Sequence, residues 1–370
     1  MQLDNIKQES RKIFDKLEMP SMRYGLTIRL NLDNFDFNKL KPKDFEVDFV
    51  KSDEIIIEDL KTALVKHEKL VKEHLGKAVK INESKFIAFH YANLSNGLFI
   101  YVPKNKNIEL PIEFYNKIKE DCRIEHTLII VDENSSFKFT EYNTSNDIKG
   151  YRSSVVEIFV KQNANLFYGN VQNIGKKVLN FNVVRAIQEK NSSLDCFSAS
   201  FGSLLNKNDV YSVLKENAHV NNLGVFFSDE NQQVDMRTAS IHENKGSVSN
   251  MFFRGIVKDK AKAIYRGLVK INKDAKDSGG YQRGDILILS DEAEADSIPE
   301  LEIDNNDVKC SHASSVGQID RNKLFYLQSR GLSREEATKH IVIGFLDPLM
   351  RRINNEKIKK ELMENLVKRL

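Results

Sequence analysis

The stretch "SSVVEIFV", residues 153–160, is a short run of β-branched and aromatic side chains that is typical of a β-strand. Similar runs recur between roughly residues 80 and 290, among them "NLFYGNV" (165–171), "GVFFS" (224–228) and "AIYRGLVKI" (263–271), with Asn, Gly, Ser and Asp between them. Long helical periods are missing from this region. The pattern predicts many short strands and leaves a sandwich, a barrel or a β-helix open, although even spacing and polar corners suit a β-helix.

Helical periodicity is confined to the two ends of the chain. Near the C-terminus, Ser333 and Glu336 have the spacing of a capping box, and they open a helix that Pro348 should interrupt or kink. Apolar stripes of helical period predict helices within residues 3–20, 54–77, 333–353 and 355–370. Such stripes face a protein core more often than a partner.

Composition describes a soluble globular protein. Of 370 residues, 41% are hydrophobic and 29% are charged. Lysine and arginine number 56 against 53 aspartates and glutamates, with both signs interspersed, so neither a nucleic acid nor a membrane is indicated as a partner. The start "MQLDNIKQES" lacks the apolar core of a signal peptide, and no apolar run is long enough to span a membrane. Three dispersed cysteines fit a reducing cytoplasm, where we expect the protein to act.

The segment "KCSHASSVGQID", residues 309–320, places Cys310 two positions before His312. A complete zinc or iron–sulfur site usually needs about four Cys or His ligands. The chain has two further cysteines, Cys122 and Cys196, and no C-x-x-C pair. The pair is therefore either half of a site completed elsewhere or no site at all.

Catalytic motifs are missing from the sequence. "GSVSN" (246–250) and "DSGGY" (277–281) are turn sequences without the lysine and spacing of a phosphate-binding loop. No serine or cysteine nucleophile with its base is recognisable. We expect a protein that is not an enzyme and that binds no nucleotide itself.

Residues 280–345, from "GYQRGDILILS" to "KHIVIGF", resemble the C-terminal signature of the SufB/SufD family, the scaffold proteins of the Suf iron–sulfur cluster assembly machinery. The similarity extends to residues 234–267 and, more loosely, to residues 85–114. The resemblance implies a mainly β fold, a right-handed parallel β-helix with N-terminal and C-terminal helical regions. It also implies three units: a mostly helical region at 1–80, a β-helix core at 81–318 and a helical ATPase-docking region at 319–370.

Within that family the segment after residue 309 is closer to the SufD branch. That branch carries C-S-H-G-A-T-V-G-Q, which resembles Cys310-Ser311-His312-Ala313-Ser314-Ser315-Val316-Gly317-Gln318. The SufB branch has a Glu after the histidine and an earlier cysteine, which aligns with Ala293 in this chain. Ala313-Ser314 departs from the Gly-Ala of SufD, so a divergent SufB/D-type homodimeric scaffold stays an alternative.

The resemblance implies a transient iron–sulfur cluster shared at an interface with a SufB-type subunit, or with a second copy of the chain. By position, His312 is the candidate ligand, and Cys310 is either a second ligand or a small buried side chain. The resemblance also implies docking of the SufC ATPase on the C-terminal region. The candidate contacts there are Phe325, Tyr326, Arg330, Gly331 and Phe345. Phe325 and Phe345 could equally belong to the core.

Two other functional classes stay open at this stage. A β-helical carbohydrate-active enzyme would need paired carboxylates in an exposed groove, and the scattered acidic residues do not discriminate for or against one. A structural spacer or binding protein is the other alternative. Asp235, Thr238 and His242 are interpreted as buried polar ladder residues of a β-helix, and His126 receives no assignment.

Overall fold

A computed structural model describes residues 2–20, 23, 24, 28, 29, 32, 35–50 and 52–370. The helices are α1 (Gln2–Lys16), α2 (Leu60–Lys66), α3 (Glu68–His74), α4 (Lys85–Ala92), α5 (Arg321–Ser329), α6 (Arg334–Met350) and α7 (Glu356–Val367), with a 3₁₀ turn at Phe37–Lys39. The strands are β1 (Arg23–Tyr24), β2 (Ile28–Arg29), β3 (Ile56–Asp59), β4 (Asn96–Val102), β5 (Ile112–Ile118), β6 (Cys122–Val131), β7 (Ser136–Ser145), β8 (Gly150–Val160), β9 (Asn165–Ile174), β10 (Val178–Gln188), β11 (Ser193–Gly202), β12 (Leu205–Leu214), β13 (His219–Ser228), β14 (Gln233–His242), β15 (Val248–Val257), β16 (Lys262–Ile271), β17 (Gly279–Ile288), β18 (Glu294–Ile303) and β19 (Lys309–Gln318). Among these elements, no helix has the length and apolar character needed to cross a membrane.

From β4 onward the strands alternate between two parallel sheets, so the chain winds into a β-solenoid of about 8 turns. The even sheet has the order β18-β16-β14-β12-β10-β8-β6-β4-β3, and the odd sheet has the order β19-β17-β15-β13-β11-β9-β7-β5. Contacts between neighbouring coils join residues 26 to 32 positions apart. β3 pairs antiparallel with β4 at the N-terminal end. The predicted parallel β-helix with helices at both termini is confirmed.

Strand alternation stacks the side chains of successive coils into columns inside the solenoid. Val156, Val184 and Val210 occupy matching positions in β8, β10 and β12, and all three are buried. A neighbouring column is polar: the Asn182 amide donates to Asn208 Oδ1 at 2.8 Å. Because an unpaired buried amide is strongly unfavourable, the matched positions of Asn182 and Asn208 stabilise the interior by pairing one amide with the other across two coils.

An asparagine ladder forms one corner of the solenoid. Asn105, Asn134, Asn163, Asn191 and Asn217 all have positive φ, between 54° and 59°. Each side-chain amide from the second to the fifth donates to the asparagine one coil earlier, at 3.0, 2.9, 3.1 and 3.2 Å. Asparagine adopts this left-handed conformation more readily than most other residues. The asparagines between the predicted strands therefore both turn the chain and join the coils.

Charged side chains are buried inside the first coils. Arg152 Nε donates to Glu125 Oε1 at 2.6 Å, and Arg123 Nε donates to Glu125 Oε2 at 2.7 Å. Arg152 is 1% exposed, Glu125 is 6% exposed and Arg123 is 4% exposed. Burial by itself would raise the pKa of Glu125, but Arg152 and Arg123 outweigh burial and lower that pKa to about 2. Each of these buried charges has a hydrogen-bonded partner, as burial requires.

The burial of Glu141 should make the free energy of unfolding depend on pH. Its buried carboxylate accepts hydrogen bonds from Tyr168 and Asn170, and burial raises its pKa to about 7 despite the opposing charge of Arg152. A carboxyl with a raised folded-state pKa holds its proton more tightly when folded, so its contribution to stability is greatest below the usual value of 4.5 and is lost as pH rises to about 7. The shift corresponds to roughly 3 kcal/mol.

The measurement is urea unfolding of the wild-type protein and of Glu141→Gln between pH 5 and 8.5. The variant cannot titrate at this position, so its free energy of unfolding should fall less over that range than that of the wild type. Parallel pH profiles for the two proteins would show that Glu141 titrates normally.

The segment 54–77, predicted as one helix, is divided in the structure. Its first residues form β3, and the remainder forms α2 and α3, which meet at His67. The Asp59 carboxylate accepts a hydrogen bond from Thr62 N at 3.0 Å and so starts α2. Ile56 and Ile57 are β-branched, and pairing with β4 outweighs the helical period of the surrounding sequence. The helix predicted at the N-terminus is present as α1.

The helices α6 and α7 pack against the outer face of the odd sheet. Leu362 and Leu366 of α7 share one buried apolar cluster with Phe197 and Phe201 of β11. The predicted interruption at Pro348 does not occur at that residue, because α6 continues to Met350. Removing these helices would expose aromatic side chains of the sheet, so this part of the C-terminal region is built into the core.

Candidate functional site

The candidate metal-binding residues lie on β19, the last strand of the odd sheet. β19 pairs with β17 and β18 pairs with β16, and neither has a second strand partner among the described residues. Within the described part of the chain, the solenoid therefore ends in a coil whose two strands, β18 and β19, each pair with one strand only. The backbone donors and acceptors on the outer edges of such strands can pair with another chain.

His312 is the last member of an interior column of the odd sheet. Met251, Gln282 and His312 occupy matching positions in β15, β17 and β19. Met251 and Gln282 are buried, whereas His312 is exposed because no further coil covers it. No other described residue provides the His312 imidazole with a hydrogen bond or an ion pair. Its ring nitrogens are therefore accessible to a metal from outside the chain.

Cys310 lies two positions before His312, on the same face of the strand. It is half-buried and packs in an apolar cluster with Val269, Ile271 and Leu301. Burial raises the pKa of the Cys310 thiol, which disfavours the thiolate form that binds metals. Of the two candidates, His312 is the better placed to bind iron.

The remaining thiols lie away from the open end. Ala293, which the resemblance aligns with a SufB cysteine, lies just before β18 and is 9% exposed, in a cluster with Ile286 and Ile288. Cys122 and Cys196 are buried, and burial raises the pKa of each thiol to about 12. Within the described part of the chain, no group of three or more His, Cys, Asp or Glu side chains is placed to hold a metal.

The candidate ATPase-docking residues surround α5. Phe325 is 72% exposed and Tyr326 is 56% exposed, which is unusual for aromatic side chains. Arg330 is also exposed, and its guanidinium carbon lies 5.2 Å from the centre of the Tyr326 ring. Leu324 is the buried residue of this helix. We call Phe325, Tyr326 and Arg330 the α5 patch.

The turn after α5 is followed directly by the predicted capping box. Gly331 has a φ of +97°, and Leu332 N donates to Leu327 O at 3.3 Å, as in a Schellman turn. Ser333 Oγ accepts from Glu336 N at 3.1 Å, and the Glu336 carboxylate accepts from Ser333 N at 2.8 Å. This capping box begins α6 directly after the turn and holds the orientation of α5 relative to α6.

The two phenylalanines that the sequence could not separate differ in the structure. Phe345 is half-buried in the apolar cluster between α6 and the odd sheet, and the Arg254 guanidinium covers its ring at 4.6 Å. Phe325 makes no comparable contact and projects to solvent. Phe345 therefore contributes to the packing of α6, and Phe325 is the more accessible of the two to a partner.

A buried histidine pair was missed at the level of sequence. His126 Nε2 lies 3.0 Å from Glu157 Oε2, and His126 Nδ1 lies 3.3 Å from His90 Nε2. Glu157 also accepts hydrogen bonds from the backbone N–H groups of Ala78 and Val79 at 2.7 and 2.9 Å. The cluster thus ties the segment after α3 to β8. The signal for it is a single carboxylate in the apolar stretch "SSVVEIFV", since a buried charge needs partners.

The interpretation of three polar residues as buried ladder residues agrees with the burial of all three, and two of them lie inside the solenoid. Thr238 and His242 are buried within the solenoid, and burial lowers the pKa of His242 to about 4. Asp235 is also buried but lies on the outer face of the even sheet, where Lys207 Nζ and Arg266 Nη2 approach it at 2.8 and 2.6 Å. Strand alternation explains the difference, because Asp235 precedes Thr238 and His242 by an odd number of positions and therefore points to the opposite face of the strand.

Comparison with known proteins gives a consistent result. A family model described as SUF system FeS cluster assembly, SufBD core domain, matches residues 114–345, and the model of the SufBD protein N-terminal region matches residues 2–114. An iron–sulfur cluster assembly SufBD family protein of Staphylococcus haemolyticus is 32% identical over 364 residues, which covers 95% of this chain and 76% of the relative. Proteins of the same description from Staphylococcus epidermidis and Staphylococcus aureus are similar to the same extent.

Proposed function

This chain belongs to the SufBD family of iron–sulfur cluster assembly proteins, and on that premise we propose that it is a scaffold subunit that holds a nascent cluster at the open end of its solenoid. The observation that carries the proposal is the position of His312. Its imidazole is exposed and has no partner among the described residues, and it lies on a strand whose edge is unpaired. The iron–sulfur cluster is the cargo of this site, and the subunit performs no catalytic turnover by itself.

A second subunit would complete the site. Clusters are usually held by several ligands, most of them thiolates, so one imidazole can supply a part of the coordination. A partner that pairs with the unpaired edge of β19 would bring its own ligands next to His312. A cluster held between two subunits can be released by separating or shifting them, which suits a scaffold that must give its cluster away.

We assign the chain to the SufD-like side of a heterodimer with a SufB-type subunit. The Cys310-Ser311-His312 pattern supports this assignment, as does the absence of a thiol at Ala293. A homodimer is the alternative, and molar mass measured with and without a SufB-type partner distinguishes the two. The family also favours cluster assembly over the carbohydrate-active enzyme considered from sequence.

The α5 patch is the proposed docking surface for a SufC-type ATPase. Exposed aromatic and arginine side chains are enriched among the residues that dominate binding energy at interfaces. The Schellman turn and the capping box connect the patch rigidly to α6, which packs on the odd sheet. Movement of a bound ATPase would therefore act on the solenoid itself. In this scheme residues 1–80, 81–318 and 319–370 form three units that act in the cytoplasm, where the three free thiols stay reduced.

Replacing Arg330 with glutamate, or Phe325 and Tyr326 together with alanine, should abolish co-purification of the ATPase subunit. Reversing an arginine in a desolvated contact commonly weakens binding by about 2–5 kcal/mol. These residues are exposed, so far-UV circular dichroism and the unfolding temperature should not change. Point variants are preferable to truncation after Asp320, because truncation would uncover the apolar face beneath α6 and α7.

Arg11→Glu provides the matched control, since Arg11 is an exposed arginine on a helix at the other end of the chain. This variant should bind the ATPase as the wild type does. Undiminished binding by the α5 variants would place the docking surface elsewhere.

A further inference from the structure

A cleft on the outer face of the even sheet collects four cationic side chains. Arg185, Lys207, Arg237 and Arg266 lie on β10, β12, β14 and β16, and all four line a cavity of about 420 Å³ beside the start of α4. Alternate residues of parallel strands point to one face, so the stacked register brings these side chains together. The cleft lies on the outer surface of the solenoid, whereas His312 occupies an interior position at its open end.

The carboxylates around the cleft account for three of these cations. Arg266 Nη2 and Lys207 Nζ contact Asp235 at 2.6 and 2.8 Å, and Arg185 Nη2 contacts Glu83 at 3.0 Å. Lys207 Nζ also lies 3.5 Å from Asp209 Oδ1, so the four cations face three carboxylates, Asp235, Asp209 and Glu83, and one positive charge is left over.

Arg237 has no carboxylate within ion-pair distance among the described residues. Its half-buried guanidinium lies 5.1 Å from the centre of the Tyr211 ring, and the Arg185 guanidinium lies 4.1 Å from the same ring. Arg185 Nε is buried and has no hydrogen-bond acceptor among the residues described. The Arg237 guanidinium and Arg185 Nε therefore keep hydrogen-bond donors that are available to an anion in the cleft.

We propose that this cleft binds the phosphate group of a small phosphorylated ligand. A phosphate has enough oxygens to accept hydrogen bonds from Arg237 and Arg185 at once, and the fork of a guanidinium matches phosphate geometry. The arginines already cover the Tyr211 ring, so the phosphate, rather than an aromatic ring of the ligand, is the group that the cleft recognises. Asp209 also lines the cleft and opposes the bound anion. The site is independent of the proposed cluster function.

Titration of the full chain with inorganic phosphate and with pyrophosphate tests the site. Binding is detected by ³¹P NMR and by the change in unfolding temperature, both at constant ionic strength. Saturable binding is expected in the wild type, with about tenfold or greater weakening in Arg237→Gln. Asp209→Asn removes the opposing charge, so it should tighten binding severalfold. The two variants have opposite expected effects, so general destabilisation cannot reproduce both.

Arg11→Gln serves as the control, because it removes the same charge from an exposed helical position, and its binding should equal that of the wild type. Acetate should bind at least tenfold more weakly than phosphate, since it offers fewer oxygens. Equal binding of acetate and phosphate would overturn the assignment to phosphate. Binding that is unchanged by Arg237→Gln and Asp209→Asn, or that never saturates, would overturn the site.

Discussion

His312→Ala should leave subunit assembly intact while the iron and sulfide content of the reconstituted complex falls sharply. The side chain is exposed at the last coil and contacts no partner within the described chain, so its removal leaves no cavity and breaks no hydrogen bond of the fold. Loss of a residue that only supports a metal ligand already weakens metal binding by about 10–100-fold, so loss of a ligand should weaken it at least tenfold. The measurement is iron, acid-labile sulfide and the visible spectrum of the anaerobically isolated complex.

Cys310→Ser is the matched variant on the same strand. Because the Cys310 thiol is half-buried among apolar side chains and its pKa is raised, its conversion to a hydroxyl should reduce cluster content much less. A His312→Ala complex that assembles and carries a normal amount of cluster would disprove the ligand assignment. If Cys310→Ser has the larger effect, the thiol is the ligand and His312 supports it. Gel filtration of both variants with the partner subunit separates loss of cluster from loss of assembly.

The second large effect is expected from Glu125→Gln, which should lower the free energy of unfolding by about 3–5 kcal/mol. The substitution keeps the shape of the side chain but leaves Arg152 and Arg123 buried without a negative charge between them. The new amide N–H₂ would also point at guanidinium donors, where it finds no acceptor. Urea unfolding at pH 7 measures the difference.

Glu133→Gln controls for the removal of a paired carboxylate. Glu133 contacts Lys104 at 2.8 Å, but both side chains are about half exposed, so solvent screening should leave this pair a much smaller contribution to stability than the buried pair of Glu125. Acid unfolding gives a second check. The lowered pKa of Glu125 means that its contribution is complete above about pH 4.5 and is lost as pH falls towards 2. If Glu125→Gln and Glu133→Gln lower the free energy of unfolding by similar amounts, then solvent screens the ion pairs of Glu125 as it screens that of Glu133.

The strands of the solenoid were predictable from sequence, but their arrangement was not. Runs such as "SSVVEIFV" have local β preference, and the asparagines between them mark the corners, so local physics is sufficient to identify both. Whether such strands form a sandwich or a solenoid depends on pairings between residues 26 to 32 positions apart, which no single segment encodes. The family resemblance resolved that choice. Ile56 and Ile57 illustrate the same limit, because their strand exists through its pairing with β4.

The candidate site was also predictable only in part from the sequence. The spacing of Cys310 and His312 indicated a shared strand face, yet the difference in their exposure depends on where the stack of coils ends. The separation of Phe325 from Phe345 depends on which side of α5 and α6 meets the odd sheet. The His90–His126–Glu157 cluster joins a helix to two strands and has no sequence spacing of its own. Tertiary placement decides each of these features.

The outer edges of β18 and β19, which have no further strand partner among the described residues, differ in how well they resist uncontrolled association. β18 contains Pro299 and three glutamates, features that discourage another strand from adding to an edge. β19 is mostly small and uncharged, with Ser, Ala, Val and Gly from residue 313 onward. We therefore expect a chain produced without the proposed partner subunit to aggregate along β19. Co-expression of the two subunits should yield more soluble protein than later mixing, because the exposed edge is then covered as soon as the chain folds.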